Sequence, residues 1–306
     1  MAAQCCHLNR ETSLLVGKSL QDRIDWARKD HFVYYPKAQA CLDQLNWIYE
    51  QAALNGRDFP SDLEGITIIG ESGAGKTTII QEFLRRYPSE HHVTHEGYPV
   101  AHCVLKDAVT GLKGLYSAIL SAYGHPYADP MSSKIARVTI DQLEEVLIHT
   151  LKETRTRLLF LDEFQHASGR NQHAVLNQLK RTMLVSQVPF VPVGTPDIEP
   201  VLASDPQLAD RCPVREYSTL QYWPFDYEFR RFLAGYEQFM PFPETSGLSS
   251  HDSALEIFEK VKFSDGPYRG KTNLRHITRF LKRVAVKALR NKHDKILEED
   301  IHGTSL

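Results

Sequence analysis

The sequence predicts an α/β protein: a central parallel sheet flanked by helices, plus a small C-terminal α-helical domain. Three observations carry this expectation. Short apolar runs alternate with helical patterns between residues 65 and 220, as in strands joined by crossover helices. A glycine-rich loop joins the first of those strands directly to a helix. After Pro224 the strand signals largely stop while helical periodicity continues.

In chain order, residues 1–30 are polar and mixed and read as an N-terminal arm. From 37 to 53, Ala40, Cys41, Leu45, Ile48 and Tyr49 recur at helical spacing. Residues 65–69 form a short buried strand that runs through the glycine-rich loop into an apolar helix at 77–84. A second strand is expected at 98–105 and a helix at 112–123. Thr139 opens another helix, with Gln142 three residues on as its capping-box partner and Leu143, Val146, Leu147 and Leu151 on the inner face. Strands follow at 158–161 and 190–193 around a helix at 172–184, and 214–220 is strand-like. Helical patterns then fill 226–239, 251–262 and 272–290, with a short one near 297–302. The expected domains are therefore the arm (1–30), an α/β domain (31–224) and a helical domain (225–306).

Composition narrows the function classes. The chain has 306 residues, 42% hydrophobic and 24% charged, a globular balance with ample material for a core. Thirty-six basic against 38 acidic residues leave a net charge of −2, so nucleic-acid binding would need a local patch. The five cysteines (5, 6, 41, 103 and 212) are odd in number and lack paired zinc-ligand spacing, which suggests reduced thiols in a cytoplasmic protein. The first twenty residues have no long apolar core, so no signal peptide is expected. No apolar run approaches the ~18 residues of a membrane helix.

The sharpest motif is the run Gly70, Glu71, Ser72, Gly73, Ala74, Gly75, Lys76 and Thr77, with Thr78 beside it. It fits G-x-x-x-x-G-K-[ST] at every fixed position. Two glycines, Lys and Ser/Thr meet this spacing by chance in roughly one such chain in a hundred, and here the flanking strand and helix are also in order. Triphosphate oxygens need converging donors, which backbone N–H groups at a helix N-terminus supply. Lys76 adds a mobile cation for the β/γ-phosphates, and Thr77 a hydroxyl for Mg²⁺. ATP and Mg²⁺ are the expected cofactors.

A magnesium carboxylate should stand at the end of a neighbouring strand. The apolar run 158–161 ends in Asp162 and Glu163, where α/β folds bind ligands. Asp162 is the candidate for the metal and Glu163 for the general base. Asp107 and Asp197 follow less clean apolar runs. Thr195, at the end of the next strand, is a candidate sensor of the γ-phosphate. Arg211 is a candidate for reaching a neighbouring subunit's nucleotide, with Arg215 as the alternative. Arg275 opens the long basic helix and is a candidate second sensor. The other cations of that helix fit a wet face over Leu274, Ile277, Phe280, Leu281, Val284 and Leu289.

Together these features resemble an AAA+ P-loop ATPase, and most closely the TniB/TnsC family of transposition regulators. Phe32 through Pro36, Val193 through Thr195, Gln207 with Arg211, and Leu220 with Trp223 match that family; Cys212 stands where relatives often carry Phe. The resemblance implies an ATPase that assembles with ATP into rings or filaments on duplex DNA. It implies recruitment of a DDE transposase, response to a target-selection protein of the TniQ type, and disassembly on hydrolysis, in the bacterial cytoplasm. By analogy with related initiator ATPases, Lys106, Thr110, Lys113, Lys134 and Arg137 are candidates for sequence-independent contacts to DNA phosphates. Val33 and Tyr34 are candidates for packing on the adenine, or plain core residues. The rival expectation is a DNA-independent signalling or scaffolding P-loop NTPase. A helicase, prompted by the run from Asp162 to His166, would need a second motor domain that the sequence does not suggest.

Overall fold

The computed structural model describes residues 6–54, 63–88, 90–91, 96–105, 111–125, 138–167 and 172–306. They fall into two compact units. One is continuous, residues 37–220. The other joins residues 1–36 to residues 221–306.

The continuous unit is the α/β body. Its elements are α3 (Pro36–Leu54), β1 (Thr67–Gly70), α4 (Lys76–Arg86), the short β2 (Glu90–His91) and β3 (Glu96–Gly97), and β4 (Val100–Val104). Next come α5 (Gly111–Ala122), α6 (Ile140–Glu153), β5 (Leu158–Asp162), α7 (Gln172–Ser186), β6 (Phe190–Gly194), α8 (Ile198–Ala203), α9 (Pro206–Arg211) and β7 (Val214–Leu220). Five strands form one sheet in the order β4-β5-β6-β1-β7, and every pairing in it is parallel. β5 and β6 are buried at every position, as a sheet covered on both faces requires. Inserting β6 between β1 and β5 leaves the ends of those two strands one strand apart.

Packing explains why these segments hold their places. Phe83 of α4 meets Phe160 of β5 edge-on, with ring centroids 5.8 Å apart, and also packs against Tyr49 of α3. Burial of each such ring is worth about 1.5–3 kcal/mol. Thr139 accepts from Gln142 N while Gln142 accepts from Thr139 N, so the expected capping box opens α6. Between Thr67 and Ile69 the register against β7 jumps from Val214 to Thr219. β7 therefore bulges, and Arg215 sits exposed on that bulge. Burial pushes the thiols of Cys41, Cys103 and Cys212 up to about 12, so they stay protonated and unreactive.

The second unit is helical. It contains α1 (Arg10–Ser13), α2 (Leu20–Arg28), α10 (Tyr227–Glu237), α11 (His251–Val261), α12 (Leu274–Arg290) and α13 (Glu298–His302). Here the structure differs from the N-terminal arm expected at 1–30. Ser19 caps α2, Ile24 and Ala27 are buried one turn apart, and α2 packs on α12. With so few apolar positions, α2 shows little periodicity in isolation. Trp26 Nε1 donates to Phe239 O at 3.0 Å and Arg23 Nε to Pro241 O at 2.9 Å. α12 buries Leu274, Ile277, Phe280, Leu281, Val284, Ala285, Ala288 and Leu289. Its basic residues lie on the other face; with Arg28, four of them (Lys282, Arg283, Lys287 and Arg290) line an open groove. No helix among the described residues is long and apolar enough to cross a membrane.

Candidate nucleotide site

The site is built where β1 runs out into α4. Gly75 is the N-cap of α4 with φ of 106°, and no side chain caps the helix. Gly73 has φ of 81°. Both angles are strained for a residue with a Cβ. The uncapped start of α4 leaves main-chain donors for an anion. Lys76 is buried; its Nζ donates to Gly70 O at 2.6 Å and Glu71 O at 3.2 Å, which folds the ammonium over its own loop. Ala74 is buried, Glu71, Gly73 and Thr78 are half-buried, and Ser72 and Thr77 are exposed. At the far end of α4, the buried carboxylate of Glu82 takes a fork of two hydrogen bonds from Arg85 and a third from Arg86, all within the helix.

β5 brings its acids to the same edge. Thr77 Oγ1 donates to Asp162 Oδ2 at 3.4 Å. Asp162 is buried; its Oδ1 accepts from Glu163 N at 2.9 Å, and His102 Nε2 on β4 lies 3.2 Å from its Oδ2. A hydroxyl beside a carboxylate is the hard-oxygen donor pair that suits Mg²⁺, which otherwise keeps waters and phosphate oxygens. No set of three or more His, Cys, Asp or Glu that would hold a metal occurs among the described residues. One hydroxyl and one carboxylate suit a metal whose other ligands are waters and phosphate oxygens.

Glu163 follows at φ of 55°, a left-handed conformation that costs a non-glycine residue about 1–2 kcal/mol. Its neighbours hold it there: its N–H bonds Asp162 Oδ1, and its carbonyl accepts from His166 N at 3.0 Å. The Glu163 carboxylate accepts from Gln165 Nε2. Thr195 follows β6 directly; its N donates to Gln165 Oε1 and its Oγ1 to Asp197 Oδ2, each at 3.4 Å.

The remaining candidates stand elsewhere along the chain. Arg211 ends α9, half-buried, and its side chain makes no ion pair among the described residues. Its carbonyl accepts from Gly65 N at 2.6 Å. Lys113 is half-buried on α5, whereas Lys106, Thr110, Lys134 and Arg137 lie outside the described residues. In the helical unit, Val33 is buried and its Cγ1 would stand 2.7 Å from a Cβ on Gly235. Tyr34 is exposed and meets Phe32 edge-on. Arg275 is exposed in the first turn of α12, after the N-cap Asn273.

A family model described as Bacterial TniB protein matches residues 23–222, more than half of the chain. The chain belongs to the TniB family. This TniB protein has the fold of AAA+ P-loop ATPases. Among solved structures, it is similar to the ORC2 protein of Aeropyrum pernix (ADPNP-ADP complexes), with TM-score 0.58 and 17% identity over 91% of this chain and 70% of that one. The ORC1 protein of the same organism in complex with DNA gives TM-score 0.54 and 16% identity over 92% and 68%. Drosophila ORC bound to DNA gives 0.51 and 15% over 94% and 65%. No match is found among curated proteins.

Two residues beside the candidate site carry little or no signal in the sequence. His102 reaches Asp162 only because β4 lies beside β5, and strand order is not written in a sequence. Gln165 carries a faint signal: it follows the acidic pair by two residues, at a spacing that a short turn brings back onto Glu163.

Proposed function

We propose that this TniB family member binds ATP with Mg²⁺ at residues 70–78, hydrolyses it, and uses the nucleotide state to control assembly on duplex DNA during transposition. The observation that carries the proposal is the hydroxyl of Thr77 beside the buried carboxylate of Asp162, at the edge that also holds Lys76 and Glu163. Support also comes from fold relatives: ORC2 was solved with ADPNP and ADP, and ORC1 with DNA.

The residues divide the work. Lys76 would exchange its two loop carbonyls for phosphate oxygens, and the amides of residues 73–78 would surround those oxygens. Thr77 and Asp162 would hold Mg²⁺. Bound magnesium triphosphate supplies a γ-phosphoryl group whose charge is already partly neutralised. Glu163 would take the proton of the attacking water. Thr195, and Arg275 from the helical unit, would register whether the γ-phosphate is present, while Val33 and Tyr34 would pack on the base. Arg211 would stabilise transition-state charge in a neighbouring copy, which couples assembly to the nucleotide.

The partners proposed are duplex DNA, held through its backbone by residues such as Lys113, further copies of this chain in a ring or filament, a DDE transposase and a TniQ-type targeting protein. The location proposed is the bacterial cytoplasm. Negative-stain microscopy with plasmid DNA and a non-hydrolysable ATP analogue tests this. Rings or filaments on DNA are expected. Discrete particles indifferent to DNA would favour a DNA-independent NTPase switch.

A further inference from the structure

The side chain of Gln165 spans two segments of the proposed catalytic edge. Its Nε2 donates to Glu163 Oε2, and its Oε1 accepts from Thr195 N at 3.4 Å. Residues 164–167 form a single 3-10 turn whose Phe164 is 1% exposed, so the backbone that presents Gln165 is anchored in the core. On the other side, a Cβ on Gly194 would stand 2.6 Å from Gln165 Oε1. The same Cβ would stand 3.0 Å from Ile198 Cγ2 and 3.2 Å from its Cδ1, so the amide oxygen and Ile198 together close the space beside Gly194.

A glutamate at the end of a strand has three free side-chain torsions, and fixing them costs up to about 2 kcal/mol. The Glu163 main chain is already pinned at both its N–H and its carbonyl. Only the carboxylate remains to be placed, and the Gln165 amide supplies that constraint while its other end is tied to β6. An amide suits this task because it offers a donor and an acceptor at once and does not ionise.

We propose that Gln165 is a positioning residue for hydrolysis: it holds the Glu163 carboxylate in register with the end of β6 and Thr195. This rests on the assignment of Glu163 as general base. Small displacements of a reacting group are costly, with about 1 Å sufficient for a hundredfold loss.

The test is steady-state ATP turnover by the full chain with saturating Mg²⁺ and plasmid DNA, with melting curves confirming that each variant folds. Gln165→Ala and the shape-preserving Gln165→Met should each lower kcat about 10- to 100-fold with KM for ATP changed less than threefold. Turnover by Gln165→Met within twofold of the unmodified protein would overturn the proposal. Glu163→Gln serves as the control. If it turns over normally, the base assignment itself fails; if it is inactive while Gln165→Met is normal, only the role of Gln165 fails.

Discussion

Thr77 Oγ1 and Asp162 Oδ2 lie 3.4 Å apart, although 85 residues separate them in the chain. The sheet makes the contact. β1 delivers Thr77 at the first turn of α4, and β5 delivers Asp162 from beyond β6. Asp162 has other partners as well: it accepts from Glu163 N and lies beside His102. Thr77→Val keeps the shape and removes the hydroxyl. Nucleotide affinity should fall about tenfold in Mg²⁺, roughly the loss of one charge-assisted bond, and stay unchanged in excess chelator. Fluorescent-nucleotide titrations with and without Mg²⁺ check this.

Lys76→Ala removes the cation that now bonds Gly70 O and Glu71 O. Affinity for ATP should drop by about two orders of magnitude, consistent with the 1.5–3 kcal/mol of a hydrogen bond to a charged group. Nucleotide-dependent assembly should disappear. Calorimetric titration and light scattering read the two effects, and an unchanged affinity would count against the phosphate loop.

Glu163→Gln should leave ATP affinity within about threefold, while kcat falls about 10²–10⁴-fold, the usual worth of a general base. Assemblies formed with ATP should then persist. Single-turnover hydrolysis and time-resolved scattering measure both, and normal turnover would remove Glu163 from the base role.

Much of this was legible beforehand because β-strand burial and phosphate chemistry are local. Leu158 through Leu161 read as a covered strand from their apolar run alone, and Gly75 with Lys76 after 65–69 has one common use. Thr139 with Gln142 announced α6 for the same reason, since a cap involves neighbours in sequence. The packed N-terminal helices were not legible: α2 buries only Ile24 and Ala27, and its partner α12 begins at Leu274. The contact of His102 with Asp162 was hidden by strand order, and that of Gln165 with Glu163 by a turn whose path a sequence does not print.

Asp205 offers a test through pH. It is the N-cap of α9, accepting from Gln207 N and Leu208 N, and Lys180 Nζ lies 2.8 Å from its Oδ2. Burial pushes its carboxyl up, but Lys180 and those two amides outweigh burial and hold it below the ordinary carboxylate value. Its contribution is therefore complete above the unfolded value near 4 and is lost as pH falls through the lower folded value. Asn caps nearly as well as Asp, so Asp205→Asn isolates the charge. The variant should be less stable by no more than about 1 kcal/mol at pH 7, with the gap in melting temperature closing below about pH 4. Thermal melts across pH 3–7 check the trend.

The helical unit is stitched from the two flanks of the α/β body, residues 1–36 and 221–306. During synthesis, α2 emerges long before α12 exists, and the whole of 37–220 must be translated in between. At 5–20 residues per second that interval is roughly 10–40 s. Ile24, Trp26 and Ala27 spend it without their eventual neighbours, while the α/β body has time to fold first. The ribosome thus completes the α/β body before the helical unit can close, and the N-terminal helices wait for their C-terminal partners.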